Sequence, residues 1–540
     1  MFMKKATLSL LFVGLLAVSC SNGTAEAPAY GEPIFGTVTE SAPVVKTTLG
    51  QVKGENRGGI AIFRGIPYGA NCDGEGRFLP PQPAHAWEGV RDCTKNGPIA
   101  VQGGQSISGD PSGLGSYFNG GHPELFGVAD EQMSENCLVL DVLSPGLDAK
   151  KRPVLVYIHG GGFATGSGTL VLGADKWSRE EDLVIVGVNH RLNVFGYLYL
   201  GHLDAAYASS GMAGMLDLVL ALQWVRDNIE SFGGDPAQVT IMGESGGGMK
   251  VSTLMAMPET KGLYSKAIVE SGSNVVAHTS TEQAAEVTSQ LLKTLNIAPA
   301  DWRQLLTLPA EQIFQAAGRM NFGPVPDGIH LNYEASDELK VFPTSKDIPL
   351  MVGSSADEMG VFMPVDQLGI TAENLTEHVA TAQNITTEKA ALLLKGFEQA
   401  NHKGDEPWHT YIKVQSLGGF LGGGAFHQAM AKAQQGGAPV YHYLVEYDTP
   451  SVMNANYRCA WHTADLPLQM RIVLHPEQES LSKLMAHSWA AFIRTGNPSN
   501  DLLTWPAFTA DQRNVVVFDE ETTVQQDPLR PIREAFASIE

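Results

Sequence analysis

The first chemistry-bearing feature of this sequence is a serine with glycines two residues to either side, Gly243-Glu244-Ser245-Gly246-Gly247. Glycine and serine are common, so the pentapeptide alone says little. Its neighbours say more. The apolar run Val239-Thr240-Ile241-Met242 precedes it, and a helix-compatible stretch, Met249 to Met257, follows. A strand that turns sharply into a helix lifts the apex residue above the sheet and tolerates only small residues two positions away. Gly243 and Gly247 meet that demand. Ser245 then presents its oxygen at a helix start, whose partial positive charge favours a developing anion. The chemistry implied is attack on a carbonyl carbon.

Such an attack creates a tetrahedral oxyanion, which needs converging backbone N–H donors. The segment His159-Gly160-Gly161-Gly162-Phe163 follows the apolar run Pro153 to Ile158 directly. Three glycines after a strand leave amides open to a reacting oxygen, and one such donor is worth about 2.7–4 kcal/mol of barrier. His159 reads as structural. A serine hydroxyl also needs a base, and in a strand–turn–helix site the chain order is nucleophile, acid, histidine. After the run Ile348 to Val352 comes Gly353-Ser354-Ser355-Ala356-Asp357-Glu358, so Asp357 and Glu358 are both candidate acids. His378, His402, His409 and His427 precede the next apolar run, and His442 lies inside it. His462 is the first histidine beyond that run and is preferred as base, with His475 as its rival.

These residues need a scaffold. Pro153 to Ile158, Leu183 to Val188, Val239 to Met242, Ile348 to Val352 and Pro439 to Val445 read as strands buried on both faces. Gly214 to Ser231 carries Leu216, Val219, Leu220, Leu222, Val225 and Ile229 at helical spacing. Alternating strands and helices predict an α/β fold: a central, mostly parallel sheet with helices on both faces. Thr279 to Gly318 and Thr371 to Lys432 read as helical insertions. The glycine-rich stretch Gln102 to Glu135 reads as one long loop, either a binding wall or a surface excursion.

The chain has 540 residues, 43% of them hydrophobic, and a formal net charge of −22. So acidic a surface repels phosphate backbones and disfavours nucleic acid as a partner. Lys4 and Lys5 followed by the apolar run Ala6 to Val18 read as an export signal, too short to span a bilayer. The segment Leu16-Ala17-Val18-Ser19-Cys20-Ser21 resembles a bacterial lipoprotein cleavage box, which makes Cys20 a lipidated first residue. Release by ordinary cleavage is the alternative. Residues 1–20 are thus read as the signal, 21–35 as a flexible tether and 36–540 as one domain. The expected location is outside the cytoplasm, as a periplasmic or outer-membrane-anchored lipoprotein or a secreted protein, with membrane contact only through the lipid. Cys72, Cys93, Cys137 and Cys459 are free to pair in such a compartment. No histidine or cysteine cluster has metal-ligand spacing, and no cofactor motif is present.

From about Val44 to Pro506 the sequence resembles the type B carboxylesterases, the carboxylesterase/cholinesterase-like group of α/β-hydrolases. The landmarks are Phe63-Arg64-Gly65-Ile66-Pro67-Tyr68, Trp87-Glu88-Gly89-Val90, Glu135-Asn136-Cys137-Leu138, Phe232-Gly233-Gly234-Asp235-Pro236, Pro326-Asp327-Gly328 and Thr495-Gly496-Asn497-Pro498. The resemblance implies an α/β-hydrolase fold with helical and loop insertions around the site. It implies Ser245 as nucleophile, Glu358 as acid and His462 as base. Gly161, Gly162 and Gly246 are the implied oxyanion donors, and Ser271 a buried serine behind the acid. The implied substrate is a small ester, cleaved through an acyl-enzyme.

Several positions depart from the family pattern. Gly246 replaces an alanine, which would loosen the turn, and Met359 replaces a glycine. Met212 and Leu218 stand where relatives carry Asn and Gln. Ala100 stands where the usual partner of Cys137 would be. The 102–135 loop lacks the tryptophan that holds quaternary ammonium groups, so choline esters are not expected substrates; Tyr117 and Phe118 offer another wall. Two other functions share this machinery: a non-catalytic adhesion ectodomain, and hydrolysis of thioesters, lactones or peptides.

Overall fold

The computed structural model describes residues 38–39, 42–103, 132–273, 279–331, 344–363, 365–401, 403–418, 420–450 and 457–539. The expected signal and tether, Cys20 included, lie outside the described residues. So does most of the 102–135 loop, with Tyr117 and Phe118.

Twelve of the described strands form one sheet. Seven adjacent strands run parallel, in the order Val184–Val188, Arg152–Ile158, Gly234–Glu244, Lys266–Glu270, Leu350–Ser355, Val440–Val445 and Asn514–Phe518. Antiparallel strands extend both edges, with Val139–Ser144 and Ile60–Pro67 on one side and Thr523–Gln526 on the other. The expected sheet is therefore present.

The central parallel strands are mostly apolar because both of their faces are covered. Alternate residues enter different cores. Val154, Val156, Ile158, Val184, Val186 and Ile241 join one apolar cluster. Leu155, Tyr157, Ile185, Met242 and Ile268 join another. This is the period of two expected of a pleated strand. Each such side chain contributes about 1.5–3 kcal/mol by leaving water. The helices Ala213–Asn228 and Gly246–Ala256 cover the first face through Val219, Leu222, Val225, Val251 and Leu254. The helix Glu479–Thr495 covers the second through Met485, Trp489 and Ile493.

Both expected insertions are helical. The first holds Thr281–Thr294 and Ala310–Ala317, and the second Leu375–Ala382, Thr387–Ala400, Pro407–Leu417 and Phe420–Gln435. Each has its own apolar cluster. The thiols of Cys72, Cys93, Cys137 and Cys459 are all buried and unpaired.

Strand order reverses beside Arg152–Ile158, which lies between a later strand, Val184–Val188, and a still later one, Gly234–Glu244. The carboxyl ends of strands at such a reversal form the crevice where α/β proteins bind ligands. The glycine run leaves one of these strands and Ser245 leaves the next.

Met212 and Leu218 are both buried and apolar. Polar anchorage of their helix comes instead from Asp217. Its Oδ1 lies 2.6 Å from Arg191 Nη2, and its Oδ2 accepts from Arg191 Nε at 2.9 Å and from the Arg191 amide at 3.0 Å. Arg191 Nη1 also donates to Leu79 O at 2.9 Å. Removing one partner of a buried pair strands the other charge, at a cost of about 3–5 kcal/mol. Asp217→Ala is accordingly expected to lower the urea midpoint by an amount corresponding to that range; a shift worth under about 1 kcal/mol would show that the pair does not anchor the helix.

Candidate active site

The turn at Ser245 is strained. Its backbone has φ 55 and ψ −124, outside the regions an L-residue prefers. The Ser245 amide donates to Glu270 O at 2.9 Å, and Ser245 O accepts from the Met249 amide at 3.0 Å. One bond ties the apex to the neighbouring strand and the other starts the helix Gly246–Ala256. The flanking glycines are required by space. A Cβ on Gly243 would lie 2.3 Å from the Gly247 carbonyl carbon, and one on Gly247 would lie 2.0 Å from Ile158 O.

Gly246 is equally confined. A Cβ there would lie 2.2 Å from Gly162 O and 2.4 Å from Gly162 N. The glycine therefore does not loosen the turn, as the sequence alone suggests; it lets the glycine run pack directly onto it. Gly161 and Gly162 adopt φ 83 and φ 62. The Gly161 carbonyl accepts from the amides of Ala164 and Thr165 at 3.2 and 3.1 Å. No protein group among the described residues accepts from the Gly161 or Gly162 amide.

Glu358 opens the short turn Glu358–Val361 after the strand Leu350–Ser355. It is fully buried. Its Oε1 accepts from the Ser355 amide at 2.9 Å, and its Oε2 bonds His462 Nδ1. His462 is buried too, with Phe362 at 5.5 Å between ring centroids. Its other nitrogen, Nε2, lies 3.4 Å from Glu244 Oε1, on the residue that precedes Ser245. The imidazole thus abuts the turn, but it shares no hydrogen bond with Ser245 Oγ and faces Glu244 instead. Catalytic bonds of this kind are commonly loose without substrate.

Asp357, the other candidate acid, takes a different partner. Its Oδ2 bonds His409 Nε2 at 2.8 Å and accepts from the Ala460 amide at 2.9 Å. The Asp357 amide in turn donates to Ala460 O at 3.0 Å. It stitches the acid loop to the loop that carries His462. Asp357, His409 and Asp448 bring ligand atoms within 4.8 Å of one another. Lys403 already lies 3.3 Å from Asp448, and His409 and Lys413 already pair with Asp405. Met359 causes no strain, since its φ is negative and its amide donates to Ser416 Oγ at 3.0 Å. His475 starts the turn Pro476–Gln478, and no hydrogen bond or ion pair found among the described residues joins it to Ser245 or Glu358.

Ser271 is fully buried at φ 46, and its amide donates to Gly353 O at 2.9 Å. Its hydroxyl has no hydrogen-bond partner among the described residues. The group that holds Glu358 is the Ser355 amide.

The residues that sequence reasoning passed over are mostly acidic. Glu244, Glu270 and Asp465 are buried around the Glu358–His462 pair. Burial raises Glu244 to about 8, helped by Asp465 and Glu358 and opposed by His462. Burial also raises Asp465 to about 7. Glu270 is pushed up chiefly by burial, although Trp489 Nε1 and Gln469 Nε2 donate to its two oxygens at 2.7 and 2.9 Å. Burial pulls His462 down, but Glu244 and Glu358 outweigh it and raise the imidazole to about 9. Glu244, Asp465, Glu270 and His462 are thus all pushed toward their protonated forms. Each residue had a local signal: Glu244 precedes Ser245, Glu270 precedes Ser271, and Asp465 stands three after His462.

The Carboxylesterase family profile matches residues 41–535. The para-nitrobenzyl esterase of Bacillus subtilis (strain 168) is 31% identical over 510 residues, covering 90% of this chain and 96% of that esterase. Among solved structures, the carboxylesterase of Geobacillus stearothermophilus superposes with a TM-score of 0.76 at 33% identity, covering 91% of this chain and 99% of that one. An esterase from Clostridium hathewayi, described as able to hydrolyse aliphatic aromatic polyesters, gives a TM-score of 0.76 at 30% identity, covering 93% of this chain and all of that one. The chain belongs to the carboxylesterase family and has the α/β-hydrolase fold, and it is a carboxylic ester hydrolase.

Proposed function

We propose that Ser245 is the nucleophile of this esterase, His462 its general base and Glu358 the acid that orients the imidazole, with the amides of Gly161, Gly162 and Gly246 receiving the oxyanion. One observation carries this reading: the Glu358–His462 pair, assembled from two distant loops, lies against the turn that holds Ser245. His462 takes the Ser245 proton as the oxygen attacks the ester carbonyl, then delivers it to the leaving alcohol. Water repeats the sequence on the acyl-enzyme. Glu358 fixes the tautomer that leaves Nε2 free and stabilises the imidazolium. Ser271 supports the acid's loop indirectly, through its amide bond to Gly353 O on the strand that leads to Glu358.

The N-terminal leader supports export, with Cys20 as the lipidated residue and the enzyme tethered through it. A single lipid anchors a soluble fold without burying it. The full-length enzyme is expected in the membrane fraction, and Cys20→Ser in the soluble exported fraction. Equal partition of the two would remove the lipid-anchor reading.

Ser245→Ala is expected to lower nitrophenol release from short acyl esters by at least about 10⁴-fold. Unchanged turnover would show that another residue is the nucleophile. The pH profile tests the base. His462 acts only when neutral; it titrates near 9, above the value of about 8 to which Glu244 is raised, so Glu244 is ionised there and its carboxylate raises the imidazole. Removing that charge must lower it. Glu244→Gln should therefore shift the acid limb of kcat/KM downward by about 1 pH unit. A limb that stays put, or moves up, would mean that a group other than His462 titrates.

A further inference from the structure

A buried lysine beside the glycine run has no part in this scheme. Lys250 lies on the helix that starts at Ser245, four residues after Gly246 and hence on the same helical face. Its side chain is fully buried. Nζ donates to Gly162 O at 2.7 Å and to His159 O at 3.1 Å, and it stands 5.4 Å from the centre of the Phe163 ring. Buried lysines are rare unless paired. Here the partners are two backbone carbonyls at opposite ends of the glycine run.

We propose that Lys250 is a positioning residue for ester hydrolysis, clamping both ends of the 159–162 segment so that the Gly161 and Gly162 amides face the reacting oxygen. The inference rests on the oxyanion reading of those glycines. The peptide units make the geometry explicit. The His159 carbonyl shares its peptide plane with the Gly160 amide, and the Gly162 carbonyl shares its plane with the Phe163 amide. Fixing these two planes brackets the two planes between them, which carry the Gly161 and Gly162 amides. The carbonyls within the segment are also held: Gly160 O by His159 Nδ1 at 2.9 Å and Gly161 O by the amides of Ala164 and Thr165. With the carbonyls bound behind, the amides remain for the oxyanion.

Three successive glycines have little conformational preference of their own, so their order must come from outside. One ammonium with two bonds supplies it from within the nucleophile's own helix. Nucleophile and oxyanion donors are thereby fixed to one rigid element. Burial lowers Lys250 to about 7, with Glu244 opposing the shift. A neutral amine still keeps two N–H donors, so the clamp does not depend on the charge.

The test compares wild type, Lys250→Met and Lys250→Gln, with rates normalised to the active-site titre so that only folded molecules count. Met has similar length and no donor; Gln is shorter but retains an amide donor. Lys250→Met is expected to lower kcat for p-nitrophenyl acetate about 10²-fold, with KM within about twofold of wild type. Affinity for a trifluoromethyl ketone, which adds to the serine and places an oxyanion in the site, should fall in parallel. Lys250→Gln should fall between the two. A change in melting temperature alone, with kcat and ketone affinity within about twofold of wild type in both variants, would overturn the clamp. A fluorophosphonate that fails to label Ser245 in the wild type would instead overturn the nucleophile assignment beneath it.

Discussion

The site depends on a contact too close for side chains. Gly247 packs against Ile158 O and Gly246 against Gly162, in both cases nearer than any Cβ allows. Sheet register makes the contact possible. Gly243 pairs with Ile158 across adjacent parallel strands, so the turn and the glycine run begin at the same height. Ser245 pays for its place with a disfavoured backbone at φ 55, worth about 1–3 kcal/mol. The surrounding structure over-determines that conformation: a bond to Glu270 O, a bond to the helix, and backbone packed on three sides. Relieving the strain would mean separating the two strands.

The electrostatics follow from the same burial. An overall charge of −22 says little about the interior, where Glu244, Glu358 and Asp465 are buried beside one imidazole and Glu270 is buried beside Glu244 and Asp465. Four bare carboxylates could not share so dry a volume. Burial resolves this by raising Glu244, Asp465 and Glu270, so that protons replace counter-ions. Glu358 accepts from the Ser355 amide and bonds His462 Nδ1, whereas Glu270 accepts from Trp489 and Gln469.

Much of this was legible in the sequence, and the reasons are physical. The strands announced themselves as continuous apolar runs because both sheet faces are covered. Gly243, Gly247 and Gly161 were legible because close backbone approach leaves glycine no substitute. Glu358 and His462 were less so. Spacing left Asp357 and Glu358 equal and preferred His462 over His475 by position alone; the family resemblance chose Glu358 and matched His462. Asp357 shows why spacing alone could not decide, since it too bonds a histidine, but that histidine is His409. The buried acids were missed because a single Glu or Asp in a loop has the same pattern whether solvated or enclosed. Lys250 was missed for the opposite reason: a single charge in the otherwise uncharged stretch Met249 to Met257 passes as the exposed face of a helix. The disulfide question could not be read at all, because pairing depends on distances that spacing does not encode, and all four thiols are unpaired.

Gly246 and Lys250 are best understood together. At position 246 the family resemblance implies an alanine, yet here that methyl would occupy the place of the Gly162 backbone. Something must hold Gly162 so near, and its carbonyl is bound by Lys250, one helical turn further on. The lysine without the glycine would pull the run into a Cβ. The glycine without the lysine would leave a gap that nothing draws the run to fill. Each residue makes structural sense only beside the other, and both lie on the helix whose first turn carries Ser245. On the roles proposed for Ser245, Gly161 and Gly162, the oxyanion donors would move with the nucleophile as one body, held by a single helix and the strand that feeds it.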